Sequence, residues 1–158
     1  MDYKQFRGAA LFIPLALTLA FVACSPAPTP EPDTTGATDP DPAVFVVVTQ
    51  EQNMTQGMAM VLANQSLDQG AEVRVLLCGP GASLALDGED GDLLQPREVT
   101  PGQLLDRLIG EGAQVDVCAI FLPNTEWTEE DLRDGVGVAE PPEVAEYMLR
   151  PGVRYFTF

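Results

Sequence analysis

Val44–Thr49 reads VFVVVT, and this stretch decides the fold class. A β-branched and aromatic run with no alternating polar positions is what a strand covered on both faces requires, and such strands belong to parallel sheets flanked by crossover helices. The residues that follow repeat the theme. Between 54 and 69, Met54, Met58, Val61, Leu62 and Ala63 recur at near-helical spacing, and Gly70 stands where a helix ends. Glu72–Cys78 (EVRVLLC) is a second strand, stopped by Gly79-Pro80-Gly81. After an acidic, Gly-rich loop at 87–92, Thr100-Pro101 caps and opens a helix whose apolar stripe is Leu104, Leu105, Leu108 and Ile109, with Gly110 or Gly112 to stop it. Val115–Ile120 (VDVCAI) is a third strand. A short acidic helix at 128–133, a Gly-Val-Gly-Val segment at 135–138, a helix at 141–149 and a last strand at 153–158 complete the chain. Short apolar runs alternating with helical ones predict an α/β fold with a parallel sheet.

The first 43 residues have a different character. Lys4 and Arg7 precede an apolar run at 8–22 that closes on Ala23-Cys24, the three-part grammar of a secretion signal. The run is too short for the roughly 20 residues a membrane-spanning helix needs. Leu19-Ala20-Phe21-Val22-Ala23 before Cys24 resembles the lipobox of bacterial lipoproteins, with Phe21 where leucine is usual. The resemblance implies a leader at 1–23, acylation of Cys24, attachment to membrane lipid and a periplasm-facing domain. Ser25 after the anchor favours the outer membrane over the inner. An ordinary secretory signal cut near Ala23 is the alternative. From 24 to 43, Pro26, Pro28, Pro30, Pro32, Pro40 and Pro42 alternate with Thr, Asp and Gly, a composition suited to a semi-rigid extended tether and unable to build a core.

Charge and residue usage narrow the function. Taking Lys4, Arg7 and Asp2 from 8 basic and 24 acidic residues leaves six arginines against 23 carboxylates, a net charge of about −17 with no lysine. A surface of that sign repels nucleic acid and anionic lipid. There is no histidine, which excludes Ser-His and Cys-His nucleophile pairs and the usual zinc sites within one chain; no cofactor or metal is expected. With Cys24 assigned to lipid, Cys78 and Cys118 are the thiols of the domain.

The VFVVVT strand, a helix ending QGAEVRVLL, a Leu-rich helix ending EGAQVDVCAIFL, then EEDLRDGV, a Pro-started helix and a terminal aromatic strand together resemble the DsrE/DsrF-like family over nearly all of 44–158. The resemblance implies a single three-layer domain with a mainly parallel five-stranded sheet, assembled into homotrimers or hexamers. It also implies a role for Cys118, which falls in the strand where active relatives carry the cysteine that accepts and passes on persulfide sulfur, between a donor and an acceptor protein. Relatives often place Arg-Gly shortly after that cysteine; here Phe121, Leu122, Pro123 and Asn124 follow, then Glu126 and Trp127.

Both domain cysteines lie toward carboxyl ends of predicted strands, where parallel α/β sheets collect their sites. A persulfide carrier needs a thiolate, and without histidine the activation must come from a cation or amides, with Arg133 or an arginine of another subunit as the nearest source. Three readings stay open: a sulfur carrier using Cys118, a binding or assembly module with Cys118 as a small core residue, and a thiol redox protein using Cys78 and Cys118. The last is disfavoured if their strands flank a central one, which would hold the cysteines roughly 10 Å apart. Trp127 is a candidate wall over Cys118 or a packing residue on the rim of the core.

Overall fold

The computed structural model describes residues 41–158; the leader, Cys24 and all but the last residues of the Pro-rich tether lie outside them. Five strands and three α-helices follow one another as β1 (Ala43–Val48), α1 (Asn53–Asp68), β2 (Glu72–Leu77), α2 (Pro101–Gly110), β3 (Gln114–Val117), β4 (Val136–Val138), α3 (Pro141–Met148) and β5 (Val153–Thr157). The strands form one sheet in the order β4-β3-β2-β1-β5, and every pairing is parallel. The VFVVVT run is therefore an interior strand, paired on both sides.

Parallel pairing places in-register residues on the same face. One face carries Val44, Val46 and Val48 of β1, Val73, Val75 and Leu77 of β2, and Val115 and Val117 of β3. These pack with Ala59, Met60 and Ala63 of α1 and Leu105 and Leu108 of α2 into a single buried cluster. The opposite face carries Phe45, Arg74 and Asp116, all buried, and is covered by α3, whose Tyr147 ring stands edge-on to Phe45 at 5.7 Å. The result is three layers. α2 is held at its start by the expected cap: the Thr100 hydroxyl accepts from the Gln103 amide and the Gln103 side chain accepts from the Thr100 amide.

The structure departs from the sequence reading in four places. In α1, Met54 and Met58 are 77% and 54% exposed, and Val61 and Leu62 also face outward; the buried side is Gln56, Gly57, Ala59, Met60, Ala63 and Asn64. The reason is a polar tie, since the buried Asn64 side chain donates to the carbonyls of Met60 at 2.8 Å and of Leu104 at 3.0 Å, fastening α1 to α2. β3 ends at Val117, three residues earlier than expected, because the chain turns at Cys118, whose carbonyl accepts from the Phe121 amide. The acidic segment at 128–133 contains only a 3-10 turn, Glu129–Asp131. Finally, β2 and β3 are direct neighbours instead of flanking a central strand.

Candidate functional site

The adjacency of β2 and β3 decides what the cysteines can do. Their ladder runs Arg74–Gln114, Val75–Val115, Leu76–Asp116 and Leu77–Val117. One step further stand Cys78 and Cys118, and the ladder continues to them: the Cys118 amide donates to the Leu77 carbonyl at 2.8 Å, and the Cys78 amide donates to the Val48 carbonyl at 2.9 Å. Both cysteines thus belong to the Arg74, Leu76 and Asp116 face, side by side at the carboxyl edge. In-register neighbours on paired strands lie about 4.8 Å apart, within the Cα separation a disulfide spans. Both thiols are free and half-buried, and the expected separation of roughly 10 Å is corrected to direct contact distance.

The chain leaves Cys78 sharply. Gly79 adopts φ +53°, a left-handed conformation that costs glycine little, and opens a 3-10 helix, Gly79–Ala85. This helix crosses the end of β1 so closely that a Cβ at Gly81 would stand 2.5 Å from the Val48 carbonyl oxygen. On the other side, the turn after Cys118 carries Ile120, Phe121, Asn124 and Thr125 over the thiols. Together with Cys78, Gly79 and Cys118 these residues line an open, mainly apolar pocket of about 410 Å³. Phe121 and Ile120 thus occupy the place considered for Trp127, which is not among the lining residues.

Burial, and secondly the neighbouring Cys118 thiol, push Cys78 up to about 12, so Cys78 keeps its proton throughout the physiological range. No cation lines the pocket. Arg133, the candidate activator, is committed elsewhere: its guanidinium donates to Asp106 at 3.0 and 3.1 Å and to Asp90 at 2.9 Å. It ties α2 to the acidic loop, where it also meets a close backbone approach at Gly102. Asp116, two residues before Cys118 on the same face, has its charge met by Arg74 at 2.9 and 3.2 Å and by the Gln114 amide at 2.9 Å. Among the described residues, no cluster of three or more His, Cys, Asp or Glu side chains is arranged to hold a metal.

These features define a class: a parallel five-stranded α/β domain bearing a pair of free thiols at the carboxyl edge of adjacent strands. The fold is DsrE/DsrF-like. It superposes on the ychN protein of E. coli with a TM-score of 0.56 at 20% identity, over 75% of this chain and 99% of that one. It also superposes on MTH1491, a protein of unknown function from Methanobacterium thermoautotrophicum, with a TM-score of 0.57 at 15% identity, over 75% and 100% of the two chains. In sequence, 94 residues are 28% identical to uncharacterized protein MJ0760 of Methanocaldococcus jannaschii, a match that takes 60% of this chain and only 34% of that relative. No family model matches the sequence.

Proposed function

We propose that this protein is a sulfur carrier in which Cys118 accepts sulfane sulfur. The observation that carries the reading is the placement of Cys118 beside a second thiol at the floor of an apolar pocket open to a small donor. In the step, the Cys118 thiolate attacks the sulfane sulfur of a persulfide or polysulfide; a new S–S bond forms at Cys118 Sγ, the donor S–S bond breaks, and its electron pair leaves on the donor thiolate. Cys78, held protonated, lies beside the sulfur so gained. Incubation of the mature protein with polysulfide, followed by peptide mass spectrometry, is expected to add one sulfur atom to the Cys118 peptide and none to a Cys118→Ser variant. An unmodified Cys118 peptide would overturn the reading.

We place this activity on a lipid anchor. The leader, the lipobox-like residues before Cys24 and the Pro-rich tether support a periplasm-facing protein acylated at Cys24, with the outer membrane favoured. Among the described residues no helix is long and apolar enough to cross a membrane. Metabolic labelling with an alkyne fatty acid is expected to tag the wild type and leave Cys24→Ala unlabelled.

Self-association is part of the same proposal. The outward stripe of α1 (Met54, Met58, Val61 and Leu62) is apolar, and α1 carries no charged residue before Asp68 in a chain of net charge −16. Two copies meeting there oppose no carboxylates across the helix, whereas copies meeting at most other surfaces do. Sedimentation of the mature protein is expected to show an oligomer that Met58→Glu dissociates; a wild-type monomer at every concentration would remove this part.

A further inference from the structure

The pairing of Cys78 with Cys118 has a chemical consequence beyond carriage. We propose that Cys78 is a resolving thiol that discharges the Cys118 persulfide as hydrogen sulfide, leaving a Cys78–Cys118 disulfide. This rests on the carrier reading, because it acts on the product of that step.

Three structural observations converge on it. The in-register continuation of β2 and β3 puts the two sulfurs on one face of neighbouring strands, at a backbone separation within the range a disulfide spans. Both thiols line one pocket, so the outer sulfur of a Cys118 persulfide has space to occupy and an exit for the product. Phe121 and Ile120 border the same pocket, and Cys78 is the other thiol that lines it.

The step balances. Cys78 Sγ attacks Cys118 Sγ, the inner sulfur of the persulfide; the Cys78–Cys118 bond forms, the inner-to-outer S–S bond breaks, and its electron pair leaves on the outer sulfur. That sulfur takes the proton from the Cys78 thiol and departs as hydrogen sulfide. The two cysteine sulfurs are oxidised and the sulfane sulfur is reduced. A dithiol reductant of the exported compartment must then reopen the disulfide before another turnover. Because the Cys78 thiol holds its proton tightly, discharge is slow near neutrality and accelerates as the pH rises. The device is thus a carrier with a delayed internal release: an acceptor that arrives promptly takes the sulfur, and otherwise Cys78 vents it.

The test loads the mature wild type and a Cys78→Ser variant with polysulfide, removes the excess, and follows free sulfide and intact mass together. The wild type is expected to release one sulfide per chain and finish two hydrogens lighter than the reduced protein. The Cys78→Ser variant keeps the added sulfur and releases sulfide about tenfold more slowly or less. Equal release from both proteins, or a wild type that keeps its persulfide as the pH is raised, would overturn the resolving role while leaving the carrier intact. Failure of either protein to gain sulfur at Cys118 would instead remove the carrier reading itself. A Cys78→Ala variant, with its thermal transition measured alongside, separates loss of the thiol from loss of the fold.

Discussion

On one face of the sheet β1, β2 and β3 are aliphatic throughout; the other carries an ion pair, edge-on aromatic side chains and two thiols. On the first, valines and leucines of β1, β2 and β3 meet α1 and α2, whose inner side also carries the buried Gln56 and the Asn64 tie. On the second, Arg74 lies within a β-strand yet is only 4% exposed, with Asp116 beside it at 6%, and the Tyr147 ring receives the Arg74 and Arg150 guanidiniums at 5.5 and 4.7 Å. Hydrophobic burial is non-directional and scales with area, so the first face holds the domain together without specifying a site. The second face spends stability on groups that must be satisfied one by one, and its carboxyl edge is where the two cysteine sulfurs emerge. The same strands serve both ends because successive side chains alternate: Val75 and Leu77 point to one side, Leu76 and Cys78 to the other.

The contrast can be broken from either side. The largest effect is expected at the ion pair, where Arg74→Met strands the buried Asp116 carboxylate and should lower stability by about 3–5 kcal/mol in chemical denaturation. Replacing both partners together, Arg74→Met with Asp116→Leu, should recover most of that loss, because an apolar pair of similar volume has no charge to desolvate. On the aliphatic face, Leu105→Ala should cost about 2–5 kcal/mol through lost contacts and a residual cavity, while leaving thiol modification by polysulfide unchanged in the folded protein. A milder change, Thr100→Ala, removes one half of the α2 capping box and should cost about 1 kcal/mol. The smallest effect is a matter of pH. The folded state raises the Cys78 thiol from 9.0 to about 12, so it binds that proton more tightly than the unfolded chain does. The resulting stabilisation is complete below about pH 9 and fades as pH climbs toward 12. The melting temperature of the wild type should therefore fall more steeply from pH 9 to 11 than that of Cys78→Ser.

Much of the fold was legible because buried parallel strands write themselves plainly. Val44–Thr49 is an apolar run that follows Pro42, Glu72–Cys78 is a largely apolar run between Gly70 and Gly79, and Thr100-Pro101 announces a helix start that the structure confirms to the residue. Strand order was not legible. Nothing in the composition of β1, β2 and β3 says which two lie together, and the proximity of the two cysteines turned on that single fact. The outward side of α1 was hidden for a related reason: Ala59, Ala63 and Gly57 are small enough for close helix packing beside Met60, so Met54 and Met58, which weigh in an apolar count, are left outside. Arg133 looked like a free cation near Cys118 in the sequence. The loop at 87–92 and α2 converge on it only in three dimensions, and Asp90 and Asp106 claim it.

The account rests on two sulfurs being neighbours, and a trivalent arsenical reads that directly, since it binds tightly only where two thiols can chelate it at once. The folded, reduced mature protein is expected to bind one phenylarsine oxide per chain, with both thiols lost to labelling, and to bind none tightly when either Cys78→Ser or Cys118→Ser is introduced. If the wild type failed to chelate the arsenical while folded, or if one of the single variants still did, the two cysteines would not share an edge of the sheet as described.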